Sequence, residues 1–152
     1  MAKFIAHRGN ISGPQPDNEN TVDYLQHAYS MEYDVEIDLI GHKGILYLGH
    51  DEPQDSAPLD FLQRPGVWCH AKNYEAATLL MGMRTHWFWH QEDDFALTNQ
   101  NYFWCYPGTY IDHPKAVWLN FDGATMPTTE NIYAICGDRV DENINIRTAG
   151  YR

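Results

Sequence analysis

The sequence predicts an α/β domain built on a reduced or distorted TIM-barrel-like sheet, with few helices and a strand-rich second half. Three observations carry this expectation. The chain has 152 residues, enough for one hydrophobic core over residues 1–152 and short for two. Its first half runs strand, helix, strand, the order of parallel strands joined by crossover helices. A complete (β/α)8 barrel takes about 250 residues and rarely fewer than about 200, so several helices must be missing or reduced to turns. An all-β barrel is the competing architecture.

The elements follow in order. Lys3 to His7 is an apolar run that stops at Arg8-Gly9, as a buried first strand does. Residues 10–18 hold two prolines, a glycine and short polar residues, which is loop chemistry. Asn18 or Asn20 can cap a helix reaching Ser30, with Val22, Leu25, Ala28 and Tyr29 at helical spacing. Residues 34–40 alternate: Val35, Ile37 and Leu39 on one face, Asp34, Glu36 and Asp38 on the other. Residues 41–44 (G-H-K-G) read as the turn of a hairpin that returns over Ile45 to His50. A polar, proline-containing stretch from Asp51 to Pro65 leads to a further apolar run, Val67 to Lys72. Asn73 then caps a helix reaching about Gly82. Strand-like runs over 86–91, 102–106, 116–121 and 132–136 complete the chain, whose polar last ten residues are expected to be loosely held.

Composition excludes several function classes. Hydrophobic residues make up 43 % and charged residues 20 %, which is globular and not disordered. Ten basic against 21 acidic side chains leave a net charge of −11, which argues against wrapping long nucleic acid or docking on an anionic membrane. No apolar run approaches the roughly 18 residues of a spanning helix. Lys3 followed only by Phe4-Ile5-Ala6 is too little for a signal peptide. Cys69, Cys105 and Cys136, odd in number and unclustered, read as reduced, buried thiols of a cytoplasmic protein.

The chemistry sits at strand ends. Glu36 and Asp38 are two apart on a strand and so share a face, with Cα atoms roughly 6.5–7 Å apart. Two adjacent carboxylates repel each other, and burying them unpaired costs several kcal/mol in order of magnitude. Two readings remain open: a solvated acidic face on an outer strand, or a cation site. His7-Arg8 ends the first strand, His50-Asp51 ends the hairpin, and His70 and Lys72 share a face at the end of the next strand. Parallel strands gather such ends at one rim, where barrel active sites are assembled.

The order H-R-G (7–9), E-N-T (19–21), E-x-D (36–38), H-D (50–51) and Lys72 resembles the glycerophosphodiester phosphodiesterase family. That family belongs with the phosphatidylinositol-specific phospholipase C-like TIM-barrel phosphodiesterases. The resemblance spans residues 5–72, about half the chain. It implies a phosphoric diester hydrolase with His7 and His50 as catalytic pair, one acting as base or nucleophile and the other protonating the leaving oxygen. It also implies that Glu36 and Asp38 hold one divalent cation (Mg²⁺, Ca²⁺ or Mn²⁺), with Arg8 and Lys72 gripping the phosphate. Glu19 matches the glutamate of the family's P-E-N-T motif, though Asn18 precedes it here; it would orient its neighbours or reach the metal.

Two departures from the family pattern bear on the site. His70 stands where the family commonly has a glutamate, and a neutral nitrogen ligand shifts preference from Ca²⁺ or Mg²⁺ towards Mn²⁺ or a softer ion. Only fifteen residues separate Asp51 from Val67, too few for the family's inserted subdomain, so a shallow, open pocket is expected. A cation with Arg8 and Lys72 would outweigh Glu36, Asp38 and Glu19, which suits a singly negative phosphodiester from a small molecule or a lipid. Histidine's pKa of about 6.5 lets one ring be neutral and one charged near neutrality. Hydrolysis, release of a cyclic phosphate, and binding of an anion without turnover are all compatible with these residues. Trp87 to Asp94, Trp104, Tyr106 and Trp118 read as core and rim, with the lining of a substrate pocket as the alternative; His42, His86 and His113 read as surface residues, and Asp138 to Glu142 lacks the spacing of a calcium loop.

Overall fold

The computed structural model describes residues 2–121, 123, 126, 127, 129 and 131–142; the expected loose C-terminal end lies outside the described residues. In chain order they form β1 (Lys3–His7), α1 (Val22–Ser30), β2 (Asp34–His42), β3 (Ile45–Leu48), α2 (Leu59–Leu62), β4 (Val67–Ala71), α3 (Tyr74–Met81), β5 (His86–Trp89), β6 (Phe95–Leu97), β7 (Phe103–Cys105), β8 (Ala116–Leu119) and β9 (Ala134–Gly137). The sheet order is β5-β4-β2-β1-β9-β8-β7-β6, with β3 paired off this path to β2. Every neighbour from β5 to β7 is parallel; β6 and β3 are antiparallel additions. The sheet curls into a nearly closed, barrel-shaped surface of eight strands, a mixed α/β fold with few helices.

The remaining gap between β5 and β6 is bridged by one backbone and two side-chain hydrogen bonds to Thr98 and Asn99, which follow β6. Trp87 N donates to Asn99 Oδ1 at 2.8 Å, Asn99 N donates to Trp87 O at 3.0 Å, and His86 Nε2 pairs with Thr98 Oγ1 at 2.7 Å. His86 is therefore no surface residue: it is half-buried and its ring lies 4.0 Å from that of Trp68.

The two-residue side-chain period divides each strand between barrel interior and exterior. Ile5, Trp68, Phe88, Trp104, Val117, Leu119, Ala134 and Cys136 fill the interior. Outside, α1 to α3 cover the first half, packing Leu25, Ala28, Leu62, Ala76 and Leu80 on Val35, Ile37, Leu39 and Cys69. Each fully buried Leu, Ile or Val there contributes about 1.5–3 kcal/mol relative to an exposed one. The second half has loops where helices would be: Tyr110 and Ile111 pack over Ala116, Trp118 and Ile135, and Trp118 Nε1 donates to Ile111 O at 2.8 Å.

Several element boundaries differ from expectation. Thr21, and not Asn18 or Asn20, stands at the N-cap position of α1, without a side-chain capping bond: its hydroxyl donates to Asn18 O, and Asn20 takes a left-handed φ of 59° and turns inward. Strand β2 runs through Gly41 and His42, so the hairpin turn is only Lys43-Gly44, with φ 51° and 79°, as a two-residue turn matching strand twist requires. The return strand stops at Leu48, because the chain bends at Gly49, where a Cβ would lie 2.1 Å from Glu52 O. Helix α2 and strand β6 were not anticipated; they have four and three residues. Helix α3 begins as expected, with Asn73 Oδ1 accepting from Ala76 N at 2.9 Å.

Candidate active site and metal centre

Because β1, β2, β4, β5, β7, β8 and β9 are parallel, their C-terminal ends meet at one rim, and the polar residues there close around one cavity of about 550 Å³. Its wall takes His7 from the end of β1 and Arg8 just after it, Glu36 and Asp38 from β2, His50 from after β3, and His70 from β4 with Lys72 just after it. The second half adds residues 90–94, Trp104, Tyr106, Leu119, Phe121 and Asp138. At the base of this cavity Glu36 and Asp38 are each 1 % exposed. Both faces of β2 are thus buried, and the solvated acidic face is excluded.

Asp38 is well supported. Its Oδ2 lies 2.8 Å from Arg8 Nε and accepts from Asn20 Nδ2 at 2.9 Å, while Asp38 N donates to Asn20 Oδ1 at 3.0 Å. Burial opposes its charge, but the His70 ring, Arg8 and His7 outweigh that cost and hold its pKa well below the usual carboxylate range. Glu36 has less direct support: its side chain accepts a hydrogen bond from Arg8 N at 3.3 Å and otherwise faces the His70 ring at 3.4 Å and the His7 ring at 3.9 Å. A carboxylate buried to this degree wants more partners.

The His70 ring supplies the third corner. Its Nδ1 lies 3.4 Å from Glu36 Oε2 and 3.3 Å from Asp38 Oδ1. Glu36, Asp38 and His70, all buried, offer ligand atoms within 4.8 Å of one another, a donor set that fits a divalent cation. Burial disfavours charge on His70, yet the two carboxylates push its pKa up to about 9, so this position attracts positive charge from whatever source. Glu19 stands outside the trio: its Oε1 is 3.4 Å from Arg8 NH1 and its Oε2 accepts from Gln15 N at 2.8 Å. Here it restrains Arg8, whose left-handed φ of 56° starts the turn into the loop.

His7 and His50 line the same cavity, each with Nδ1 tied to an aspartate. His7 Nδ1 donates to Asp138 Oδ1 at 2.7 Å, and the same oxygen accepts from Asn10 Nδ2 at 2.9 Å. The His7 ring lies 4.4 Å from Phe121, and its Nε2 is 3.9 Å from Glu36 Oε1. Burial lowers the His7 pKa, but Asp138 and Glu36 more than offset this and the net shift is upward. His50 Nδ1 donates to Asp51 Oδ1 at 2.7 Å, and Lys72 Nζ donates to His50 Nε2 at 3.3 Å, which requires that nitrogen to carry a lone pair.

Sequence reasoning missed Asn20 and Asp138, and took residues 90–94, Trp104 and Tyr106 for core and rim. Asn20 was read as a cap and instead holds Asp38 from both sides. Asp138 follows the apolar run of β9 directly, the same strand-end position that flagged His7, and could have been found by that rule. His90 to Asp94 form a wall of the cavity, with His90 stacked 3.7 Å from Tyr106 and its Nε2 donating to Asp93 O. The exposed Glu92, Asp93 and Asp94 make the mouth acidic, so the balance drawn from Arg8, Lys72 and Glu19 alone is incomplete. Trp104 and Tyr106 face the cavity, whereas Trp118 packs outside the sheet.

No helix among the described residues is long and apolar enough to cross a membrane. Compared with protein-family models, with curated proteins and with solved structures, the chain finds no match.

Proposed function

We propose that this protein is a metal-dependent phosphoric diester hydrolase resembling the glycerophosphodiester phosphodiesterases and using two histidines for acid–base catalysis. The observation that supports the reading is the convergence of His7, Arg8, Glu36, Asp38, His50 and Lys72, from four separate segments, on one cavity. A divalent cation held by Glu36, Asp38 and His70 would polarise the phosphoryl oxygens of a bound diester.

The side chains divide the remaining work. Arg8, pinned by Asp38 and Glu19, presents a fixed positive charge, and Lys72 brings a second beside His50. His50, its Nε2 lone pair free for a proton when Lys72 turns to the phosphate, serves as base and takes a proton from the attacking water as its oxygen bonds to phosphorus. His7, stabilised in its charged form by Asp138, gives its proton to the departing alkoxide as that P–O bond breaks. The products are a phosphomonoester and an alcohol.

The test uses a glycerophosphodiester, whose alkoxide leaving group needs the proton His7 gives, with the native chain and with His7→Ala and Glu36→Ala, each checked for fold by circular dichroism. Both folded variants should lose turnover by at least about 100-fold, the range of a lost acid–base group. Unchanged turnover in either overturns the reading, and phosphorus NMR on a diester with a neighbouring hydroxyl separates hydrolysis from release of a cyclic phosphate.

A further inference from the structure

We infer that His70 makes this centre a site for a first-row transition ion of the Mn²⁺ or Zn²⁺ class, in preference to Ca²⁺ and Mg²⁺. The inference deepens the phosphodiesterase reading, since it concerns the cation of that same pocket, but the argument rests on the geometry of one imidazole.

The ring is held as a ligand is held. His70 Nε2 lies 3.3 Å from the carbonyl oxygen of His90, and only an Nε2–H can satisfy that acceptor. A neutral ring therefore carries its lone pair on Nδ1, the nitrogen facing Glu36 and Asp38. The ring face packs on Phe88 at 4.6 Å with 23° between planes, which fixes its rotation. A backbone carbonyl behind the ring setting the tautomer in front is the usual outer support of a metal-bound histidine.

The spacing leaves room for an ion between the groups. A charge-assisted N–H to carboxylate bond is typically about 2.7–2.9 Å, whereas Nδ1 stands 3.3 and 3.4 Å from the two oxygens. Two metal–ligand bonds of about 2.1 Å meeting at a tetrahedral angle put their donor atoms about 3.4 Å apart. Glu36 adds a second sign: it is 1 % exposed, accepts one long backbone hydrogen bond, and otherwise has only the His70 ring at 3.4 Å and the His7 ring at 3.9 Å beside its charge among the described residues. Ca²⁺ takes six to eight oxygen ligands and Mg²⁺ keeps an oxygen octahedron, so one imidazole among three protein donors is a poor set for either. Imidazole with carboxylates suits Mn²⁺ and, more strongly, Zn²⁺.

The test needs no substrate. The full chain, stripped with a chelator, is titrated with Mn²⁺, Zn²⁺, Ca²⁺ and Mg²⁺, following heat release and melting temperature. Zn²⁺ and Mn²⁺ should bind saturably at one site, at least about 100-fold more tightly than Ca²⁺. Pulsed EPR of the Mn²⁺ form should show coupling to one imidazole nitrogen. His70→Glu should abolish that coupling, weaken Zn²⁺ by at least tenfold and strengthen Ca²⁺ or Mg²⁺.

Equal affinity for Ca²⁺ and Zn²⁺, missing nitrogen coupling, or no saturable binding of any ion would overturn the inference. If His70→Glu fails to fold, the native ranking and coupling decide alone. Tight Zn²⁺ or Mn²⁺ binding without diester turnover would sink the phosphodiesterase reading and leave this one standing. Turnover together with an oxygen-type ion preference would do the reverse.

Discussion

Asp138 offers a prediction in which two substitutions at one position must behave differently. Its Oδ1 is the shared acceptor for His7 Nδ1 at 2.7 Å and Asn10 Nδ2 at 2.9 Å. Asn10 is itself held by Tyr24, whose hydroxyl donates to Asn10 Oδ1 at 2.9 Å. In Asp138→Asn the new carbonyl oxygen can occupy the same place and accept both bonds, so the His7 tautomer and ring position survive and only the negative charge is lost. A hydrogen bond to a charged group contributes about 1.5–3 kcal/mol and a neutral one about 0.5–1.5, so the loss is about 1–1.5 kcal/mol. That corresponds to roughly a tenfold fall in kcat/KM. Asp138→Ala removes the acceptor, orphans two donors and costs about 2–4 kcal/mol, a fall of roughly 10²–10³ with a lowered melting temperature. Steady-state turnover of a glycerophosphodiester with an alkoxide leaving group, with thermal melts of all three proteins, reads both effects. Equal damage from Asn and Ala, or full activity in Asp138→Ala, would refute the positioning role.

Three further outcomes follow from the geometry. Asn20→Ala loses two bonds to Asp38 and places a Cβ residue without a local polar partner at φ 59°; urea unfolding should show a loss of about 3–4 kcal/mol, with Asn20→Gly recovering about 1 kcal/mol because glycine accepts that backbone. His86 has its pKa pushed down to about 4 by burial, from about 6.5 when unfolded. The unfolded chain alone takes up that proton between these values, so this group leaves stability unchanged above about pH 6.5 and subtracts from it as pH falls towards 4. Solvent at the half-buried ring trims the effect to about 1–2 kcal/mol, read as the difference in pH profile between native chain and His86→Phe. Lys72→Met should raise KM for the diester at least about fivefold, while the melting temperature stays within a few degrees; an unchanged KM would remove Lys72 from phosphate binding.

Much of the site's first half was legible because strand alternation is a local rule. E-x-D on β2 and H-x-K at the end of β4 needed only the two-residue period to be placed on one face, and parallel order to be placed at one rim. Asn20 was illegible because its role depends on a left-handed backbone that brings its amide to a strand eighteen residues away. Asp138 was passed over because the region was judged for calcium-loop spacing and not for its place at a strand end. Strand β6 has three residues, two of them exposed, and leaves no alternation to read. That helices are missing was foreseen from length, and that the second half lacks them from its strand-like runs, whereas the Thr98 and Asn99 clasp that nearly closes the barrel depends on side-chain contacts no periodicity encodes.

The most direct measurement is turnover of bis(p-nitrophenyl) phosphate by the purified chain before chelation, after it, and after Mn²⁺ is added back. The account predicts activity that disappears with the chelator, returns with the ion, and never appears in Glu36→Ala under the same conditions. Turnover indifferent to the chelator, or none with any divalent cation, would contradict it.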